Sequence, residues 1–311
     1  MDPGWAMGDA RRILVTGSTG LVGRRLVDAL RSEGTPVGAV TRRPERARFG
    51  AGAEPVGWDG VHLAPAELAR SGAVVHLAGE PLFGGLFSAE RRRRILESRV
   101  DSTRALVRAI AELAPGERPR SLVCASAVGY YGDRGEEELD ESAVPGSGFL
   151  ADVCIAWERA AQPVEALGVR RVSLRIGVVL AREGGALATM ARAFRLGLGG
   201  RVGNGRQWFP WIHADDLVGL VRAALSDERY TGTLNAVAPH PVRNAELTRL
   251  LGEILHRPTI LPLPAFVLRV ALGELAGELL GSRRIVPRAA LERGFRFEIE
   301  DAARALAVEL G

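Results

Sequence analysis

The residues with the plainest chemical purpose lie near the start of the chain: Gly17-Ser18-Thr19-Gly20-Leu21-Val22-Gly23. They follow the apolar run Ile13-Leu14-Val15 and open an amphipathic stretch from Leu21 to Leu30. In the spacing Gly17-x-x-Gly20-x-x-Gly23 the first glycine permits a sharp turn and the second lets backbone approach a phosphate. The third lets a helix pack closely on a strand. The helix then offers unpaired N–H groups and the positive end of its dipole to an anion. The chemistry expected is capture of a dinucleotide pyrophosphate, and the alternative is a tight turn in an unrelated α/β chain. A second group narrows the nucleotide. The next apolar run, Pro36 to Thr41, ends in Arg42-Arg43, where folds selective for NAD carry an acid on the ribose 2′-hydroxyl. Two guanidiniums suit a 2′-phosphate instead. The expected cofactor is therefore NADP, against the alternative that both are surface loop charges.

These residues need a scaffold, and the rest of the chain supplies one. Strands are expected at Glu54–Trp58, Ala73–Leu77, Arg120–Ala125, Arg171–Arg175 and Thr233–Val237. Helices are expected from about Ser88 to Leu113, Phe149 to Leu167, Asp215 to Leu225 and Asn244 to Leu255. The alternation predicts an α/β fold: a doubly wound, mostly parallel Rossmann-type sheet with a small, mainly helical C-terminal lobe. Residues 1–10 read as a disordered leader. Residues 11–257 read as the nucleotide-binding body, with lobe parts at about 177–213 and 237–257, and 258–311 as a helical C-terminal domain. Pro258 to Pro264 reads as an extended linker, because its prolines refuse a helix. The tail from Ala265 to Leu310 reads as helical with a break at Pro287. Gly197 to Gly205 reads as a mobile glycine-rich loop, and Glu136 to Glu141 as a solvated acidic one.

Composition excludes several function classes. The chain has 311 residues and a formal charge of +4, and all 41 basic residues are arginine. The run Arg91 to Arg94 has no interleaved aromatics, so a solvated helix face is the reading and nucleic acid is not an expected partner. Two cysteines, Cys124 and Cys154, and five scattered histidines show no metal-ligand spacing, so no metal is expected. No apolar run is long enough to span a bilayer and no signal-peptide pattern is visible. A cytoplasmic protein with no membrane partner is expected.

Several motifs in series carry a resemblance. They are Thr16 to Gly23, His76-Leu77-Ala78-Gly79, Ser98 to Arg104, Ser126 to Gly132, Leu174 to Gly177 and Trp211 to Asp216. Gly281 to Pro287 and Gly294 to Phe297 complete them. From about residue 12 to 308 the chain resembles the extended short-chain dehydrogenase/reductases, within them the atypical "epimerase family" group with a C-terminal domain of unknown function. The resemblance implies cofactor contacts from Gly17 to Gly23, from Leu77, Ala78 and Gly79, and from Ser126 and Ile176, and it allows a homodimer. One departure is decisive. Hydride-moving members use a hydroxyl residue with a Tyr-x-x-x-Lys pair, whose ammonium lowers the tyrosine pKa. Aligned here, Leu150 stands at the tyrosine position, Cys154 at the lysine position and Ala127 at the hydroxyl position. The chain contains no lysine at all.

Chemistry must then come from other groups at the same sheet edge. Tyr131 is expected as general acid, with packing as its alternative. Ser126 is expected to position a substrate oxygen, with a strand-end hydrogen bond as its alternative. Glu80 and Arg99 are expected to meet a small-molecule substrate, with a helix-entry or loop carboxylate and a structural ion pair as their alternatives, and Trp208 and Trp211 are expected as an aromatic wall; three aromatics in six residues also suit a lobe core. Arg175 ends the sixth strand, where a structural ion pair is the commoner fate. His213 is expected to cap a helix and Cys154 to pack. The function expected is an NADP(H)-dependent oxidoreductase acting on a small carbonyl- or hydroxyl-bearing molecule. A non-catalytic NADP-binding sensor or scaffold with a protein partner is the alternative.

Overall fold

The computed structural model describes residues 11–82, 87–260, 262–273 and 276–311; the leader expected at 1–10 lies outside them. Seven strands form one sheet: β1 (Arg12–Thr16), β2 (Val37–Thr41), β3 (Ala53–Gly57), β4 (Ser71–His76), β5 (Ser121–Ala127), β6 (Arg170–Ile176) and β7 (Gly232–Ala236). Their order is β7-β6-β5-β4-β1-β2-β3, and every pair is parallel. The order reverses between β1 and β4, which opens a crevice at the carboxyl ends of those two strands.

Helices cover both faces, as a parallel sheet buried on both sides requires. On one face α1 (Leu21–Ser32) and α5 (Ala214–Ser226) bury Leu26, Leu30, Leu217 and Val221 against Val15, Val123 and Leu174. On the other, α2 (Ala89–Ala111) and the chain after α3 (Phe149–Ala161) bury Leu106, Ile110 and Val164 against Leu14, Val74 and Leu122. Ser88 starts α2 by accepting a hydrogen bond from the Arg91 N–H. A third apolar cluster forms the lobe. Trp211, Leu187, Phe194, Leu251 and Leu306 meet there, joining α4 (Gly185–Arg195), α6 (Asn244–Ile254) and α8 (Ala302–Leu310). The last helix is thus built into the lobe that begins some 120 residues earlier in sequence.

The tail and two loops differ from expectation. The tail is helical as expected but in more pieces: α7 (Ala265–Leu272), short helices at Ala276–Leu280 and Arg288–Glu292, the latter beginning just after Pro287, a short strand at Arg284–Ile285, and α8. The acidic stretch Glu136 to Glu141 is not a free solvated loop. Glu138–Leu139 pairs in parallel with Arg284–Ile285. Glu136 meets Arg243 at 2.8 Å, and Asp140 meets Arg288 at 2.9 Å. The Glu141 carboxylate accepts from the Asn235 and Ala289 N–H groups. Asp140, Glu141 and the strand pair clasp the arginine-rich tail to the body, while Glu136 holds Arg243 ahead of α6; these long-range pairings are not encoded in local sequence. The glycine-rich stretch is tied down by bridges from Gly200 to Ile260 and from Val202 to Leu263, which also hold the proline segment extended.

Candidate nucleotide site and its surroundings

The crevice at β1 is lined by a loop that has no room for a side chain at Gly17 or Gly23. Gly17 has φ +67°, and an added Cβ would lie 2.8 Å from the Leu77 carbonyl carbon and oxygen. A Cβ on Gly23 would lie 2.2 Å from the Gly17 carbonyl oxygen. The loop is therefore pressed between the end of β4 and the first turn of α1. Gly20 caps α1 without a side-chain hydrogen bond, which leaves the helix N–H groups open toward the crevice. The buried Ser18 hydroxyl donates to the Val40 carbonyl at 2.8 Å and ties the loop to β2. Arg42 and Arg43 follow that strand beside the loop. Both are exposed, and neither guanidinium has a partner among the described residues. Thr19 is exposed, while Leu21, Val22, Leu77 and Ala78 are half-buried around the loop.

Beneath the loop runs a buried polar network that sequence reasoning missed. The Thr16 hydroxyl accepts from the Leu77 and Ala78 N–H groups, both at 3.2 Å, and lies 2.7 Å from His76 Nδ1. Its own proton therefore points at Nδ1. On the other side, His76 Nε2 is 3.1 Å from Thr103 Oγ1. That hydroxyl also accepts from Trp157 Nε1 and donates to the Arg99 carbonyl. The one arrangement that satisfies all of them is neutral His76 with its proton on Nε2. Burial pushes the imidazole down to about 4. The unfolded chain, titrating near 6.5, takes up that proton first as pH falls. Stability present above pH 6.5 is thus lost between about 6.5 and 4, amounting to about 3 kcal/mol at 1.36 kcal/mol per unit. Chemical denaturation across this window should show that loss in the wild type and a flatter profile in His76→Gln. An equally steep fall in the variant would assign the acid sensitivity to other groups.

Tyr131 and Ser126 do not stand free at the sheet edge, which corrects their expected placement. Tyr131 has no exposed surface. Its hydroxyl donates to Asn235 Oδ1 at 2.7 Å and accepts from Arg175 Nη1 at 2.9 Å. Burial pushes this phenol up to about 12, against the opposing pull of Arg175. Ser126 is 2 % exposed and donates to Glu158 Oε1 at 2.7 Å. Glu158 in turn holds Arg175 with two bonds, 2.9 Å to Nε and 3.0 Å to Nη2. Burial alone would lower the Arg175 pKa, but the bond and charge of Glu158 outweigh it and raise it. Ser126, Glu158, Arg175, Tyr131 and Asn235 therefore form one buried chain linking β5, α3, β6 and β7.

The remaining candidates separate into two groups. Close to the crevice, Arg99 stacks 5.2 Å from the Trp157 ring and bonds the Ile95 carbonyl at 3.0 Å. A Cβ on Gly79 would lie 3.3 Å from its guanidinium carbon. Burial lowers its pKa, with the Glu80 charge among the opposing effects. Glu80 takes the Ser98 hydroxyl on its N–H and lies 3.9 Å from Arg91. Arg91 itself is buried and donates to the Pro81 carbonyl, so the basic run is not wholly a solvated face; Arg93 and Arg94 pair with Glu97 and Glu90. Farther away, Trp211 is 1 % exposed inside the lobe core, which corrects its expected place on a pocket wall. Trp208 bonds Glu136 through Nε1 at 3.0 Å, and the Arg243 and Arg284 guanidiniums stand over its ring at 4.2 and 5.4 Å. It belongs to the acidic clasp. His213 Nδ1 accepts from the Asp215 N–H and caps α5. Cys154 is buried and its thiol pushed up to about 12 by burial, so it packs rather than reacts. Ile176 ends β6 half-buried. Among the described residues, no group of three His, Cys, Asp or Glu side chains is placed to hold a metal, and no helix is long and apolar enough to cross a membrane.

One residue the sequence reading passed over is Tyr130. It is half-buried, its hydroxyl makes no hydrogen bond among the described residues, and its ring lies 3.4 Å from the Arg175 guanidinium carbon. Only the spacing to Tyr131 could have signalled it: consecutive residues in a tight turn point different ways.

Fold and crevice define a dinucleotide-binding α/β protein of the short-chain dehydrogenase kind. The model of the NAD dependent epimerase/dehydratase family matches residues 13–236, and a domain of unknown function, DUF1731, matches 263–308. The chain belongs to this family, and within it to the SDR39U1-like epimerase family proteins. It is 40 % identical over 304 residues to the chloroplastic SDR39U1 homologue of Arabidopsis thaliana, covering 94 % of this chain and 86 % of that one. The crystal structure of human SDR39U1 (isoform 2) with NADPH superposes with a TM-score of 0.83 at 34 % identity, covering 96 % of this chain and 99 % of the other. A UDP-N-acetylglucosamine 4-epimerase from Bacillus cereus, at 19 % identity and a TM-score of 0.73, covers 96 % of this chain and 97 % of its own and shares the fold.

Proposed function

We propose that this chain binds NADP(H) and acts as an oxidoreductase on a small carbonyl- or hydroxyl-bearing molecule. The observation that carries the reading is the pair of unpartnered guanidiniums, Arg42 and Arg43, beside a loop in which Gly17 and Gly23 leave no room for a Cβ. Gly17 to Gly23 would hold the pyrophosphate, Arg42 and Arg43 the 2′-phosphate, and Leu77, Ala78 and Gly79 the adjoining ribose edge. The NADPH in the human relative's crystal structure supports this choice. When bound, the nicotinamide supplies the hydride.

The proton has to come from the chain or from water. Tyr131 is spent on Arg175 and Asn235, so Tyr130 is the phenol left near the end of β5. The test is loss of reduced-nicotinamide absorbance with a panel of small carbonyl compounds. Wild type and Tyr131→Phe should turn over alike, with Tyr131→Phe losing about 1–3 kcal/mol of stability through the orphaned Arg175 and Asn235 groups. Tyr130→Phe should fall by about a hundredfold if its hydroxyl moves the proton.

A second reading is a non-catalytic NADP(H) sensor. It is favoured by Leu150 and Cys154, whose side chains close over Gly129 where the family's tyrosine and lysine would stand; a Cβ at Gly129 would lie 3.2 Å from Leu150 Cβ. Tight NADPH binding with no turnover across the panel would select it.

A further inference from the structure

The lobe carries an apolar surface ringed by positive charge, and we propose that this face docks on an anionic lipid surface. Among the described residues eleven large hydrophobic side chains are exposed. Seven of them lie on two segments that touch: Leu196, Leu198, Ile260, Leu263, Phe266, Val267 and Val270. The Gly200–Ile260 and Val202–Leu263 bridges join the segments. Phe266 and Val270, four residues apart on α7, share one helix face and are 67 % and 86 % exposed. Scattered exposed apolar residues are ordinary, but a contiguous set marks an interaction surface.

Charge names the partner. Over residues 192–206 and 256–273 the sequence holds six arginines and no aspartate or glutamate, in a chain with 37 acids. Arg192, Arg195, Arg201 and Arg257 are exposed and none pairs with a carboxylate among the described residues, while the exposed Arg206 already feels the Glu136 carboxylate. The exposed Glu253 at the edge of α6 is already held by Arg249. An apolar helix face with unpaired arginines beside it is the pattern of an interfacial anchor: side chains enter the acyl boundary while guanidiniums meet lipid phosphates. Nucleic acid fits less well, since the exposed residues are mostly aliphatic and offer one ring for stacking. This departs from the expectation of no membrane partner, which rested on the lack of an apolar run long enough to span a bilayer; docking on a surface needs no such run.

The test is cosedimentation of the full chain with vesicles of phosphatidylcholine alone and of phosphatidylcholine with phosphatidylglycerol, at low and high salt. Wild type should partition onto the anionic vesicles only, and less so at high salt. Arg195→Ser with Arg201→Ser should weaken partitioning by about tenfold or more, at roughly fivefold per arginine. Phe266→Ser with Val270→Ser should weaken it by about as much while leaving the NADPH affinity unchanged. No binding to either vesicle would overturn the proposal. So would anionic binding indifferent to the Phe266 and Val270 changes, which reports diffuse charge attraction. A vesicle-free dimer in sedimentation analysis that those same changes dissolve would instead make the face a contact between copies, and would also overturn it.

Discussion

Glu158→Ala should destabilise the fold by about 3–5 kcal/mol, the cost of stranding a buried guanidinium without its carboxylate. Arg175 is 4 % exposed, and Glu158 supplies two of its three hydrogen bonds, both to a carboxylate, while also accepting from the Ser126 hydroxyl. Domains of this kind are stable by only about 5–15 kcal/mol, so the loss is a large share of the total. The expected readout is a lowered denaturation midpoint with an unchanged slope. If that variant does not fold, Glu158→Gln keeps one of the two acceptor oxygens and removes the charge, and should cost about 1.5–3 kcal/mol. A change below about 1 kcal/mol in either variant would mean that Arg175 finds water or another acid, and the buried chain would not be the device that joins β5, α3, β6 and β7.

Gly23→Ala should lower stability and nucleotide affinity together. Helix propensity alone predicts the opposite sign, since alanine in a helix interior gains about 0.5–1 kcal/mol over glycine. Here the new methyl would sit 2.2 Å from the Gly17 carbonyl oxygen, 2.8 Å from its carbon and 2.9 Å from Ser18 Cα. All three are backbone atoms, so no side chain can swing aside. Either α1 or the glycine loop must move, and overpacking of this kind costs about 1–3 kcal/mol. Because the same loop would hold the pyrophosphate, NADPH affinity should fall by about a hundredfold, as a misplacement near 1 Å commonly costs. Stabilisation with unchanged affinity would show that the tight approach of loop and helix is not needed.

What the sequence made legible follows from what is local. Most of the sheet strands are short, largely buried apolar runs that need no partner-specific signal, so their positions are legible to within two or three residues, although the edge strand β3 buries Val56 alone. The glycine loop was legible because its chemistry requires glycine at fixed spacing. The two-residue pairings Glu138–Leu139 with Arg284–Ile285 and Trp208–Phe209 with Val242–Arg243 were not, since each joins segments far apart in sequence. Side-chain direction was the other blind spot. Tyr131 and Tyr130 are neighbours of one type, yet one is sealed under β6 and β7 and the other half-exposed. Trp211 reads equally as a pocket wall or a core residue, because aromatics suit both, and the structure seals it in the lobe core. The roles of His76 and Glu158 are not legible in the sequence, because a buried polar network is visible only when its partners, on different elements, are brought together.

The central claim is that the two arginines after β2 read a 2′-phosphate, and one titration tests it most directly. NADPH and NADH would be titrated into wild type and into the Arg42→Ala, Arg43→Ala double variant, with binding followed calorimetrically. Two charge-assisted phosphate contacts predict a wild-type preference for NADPH of about a hundredfold or more, collapsing to near parity in the variant while NADH affinity holds. Equal affinities in the wild type, or a preference that survives loss of both arginines, would contradict the account.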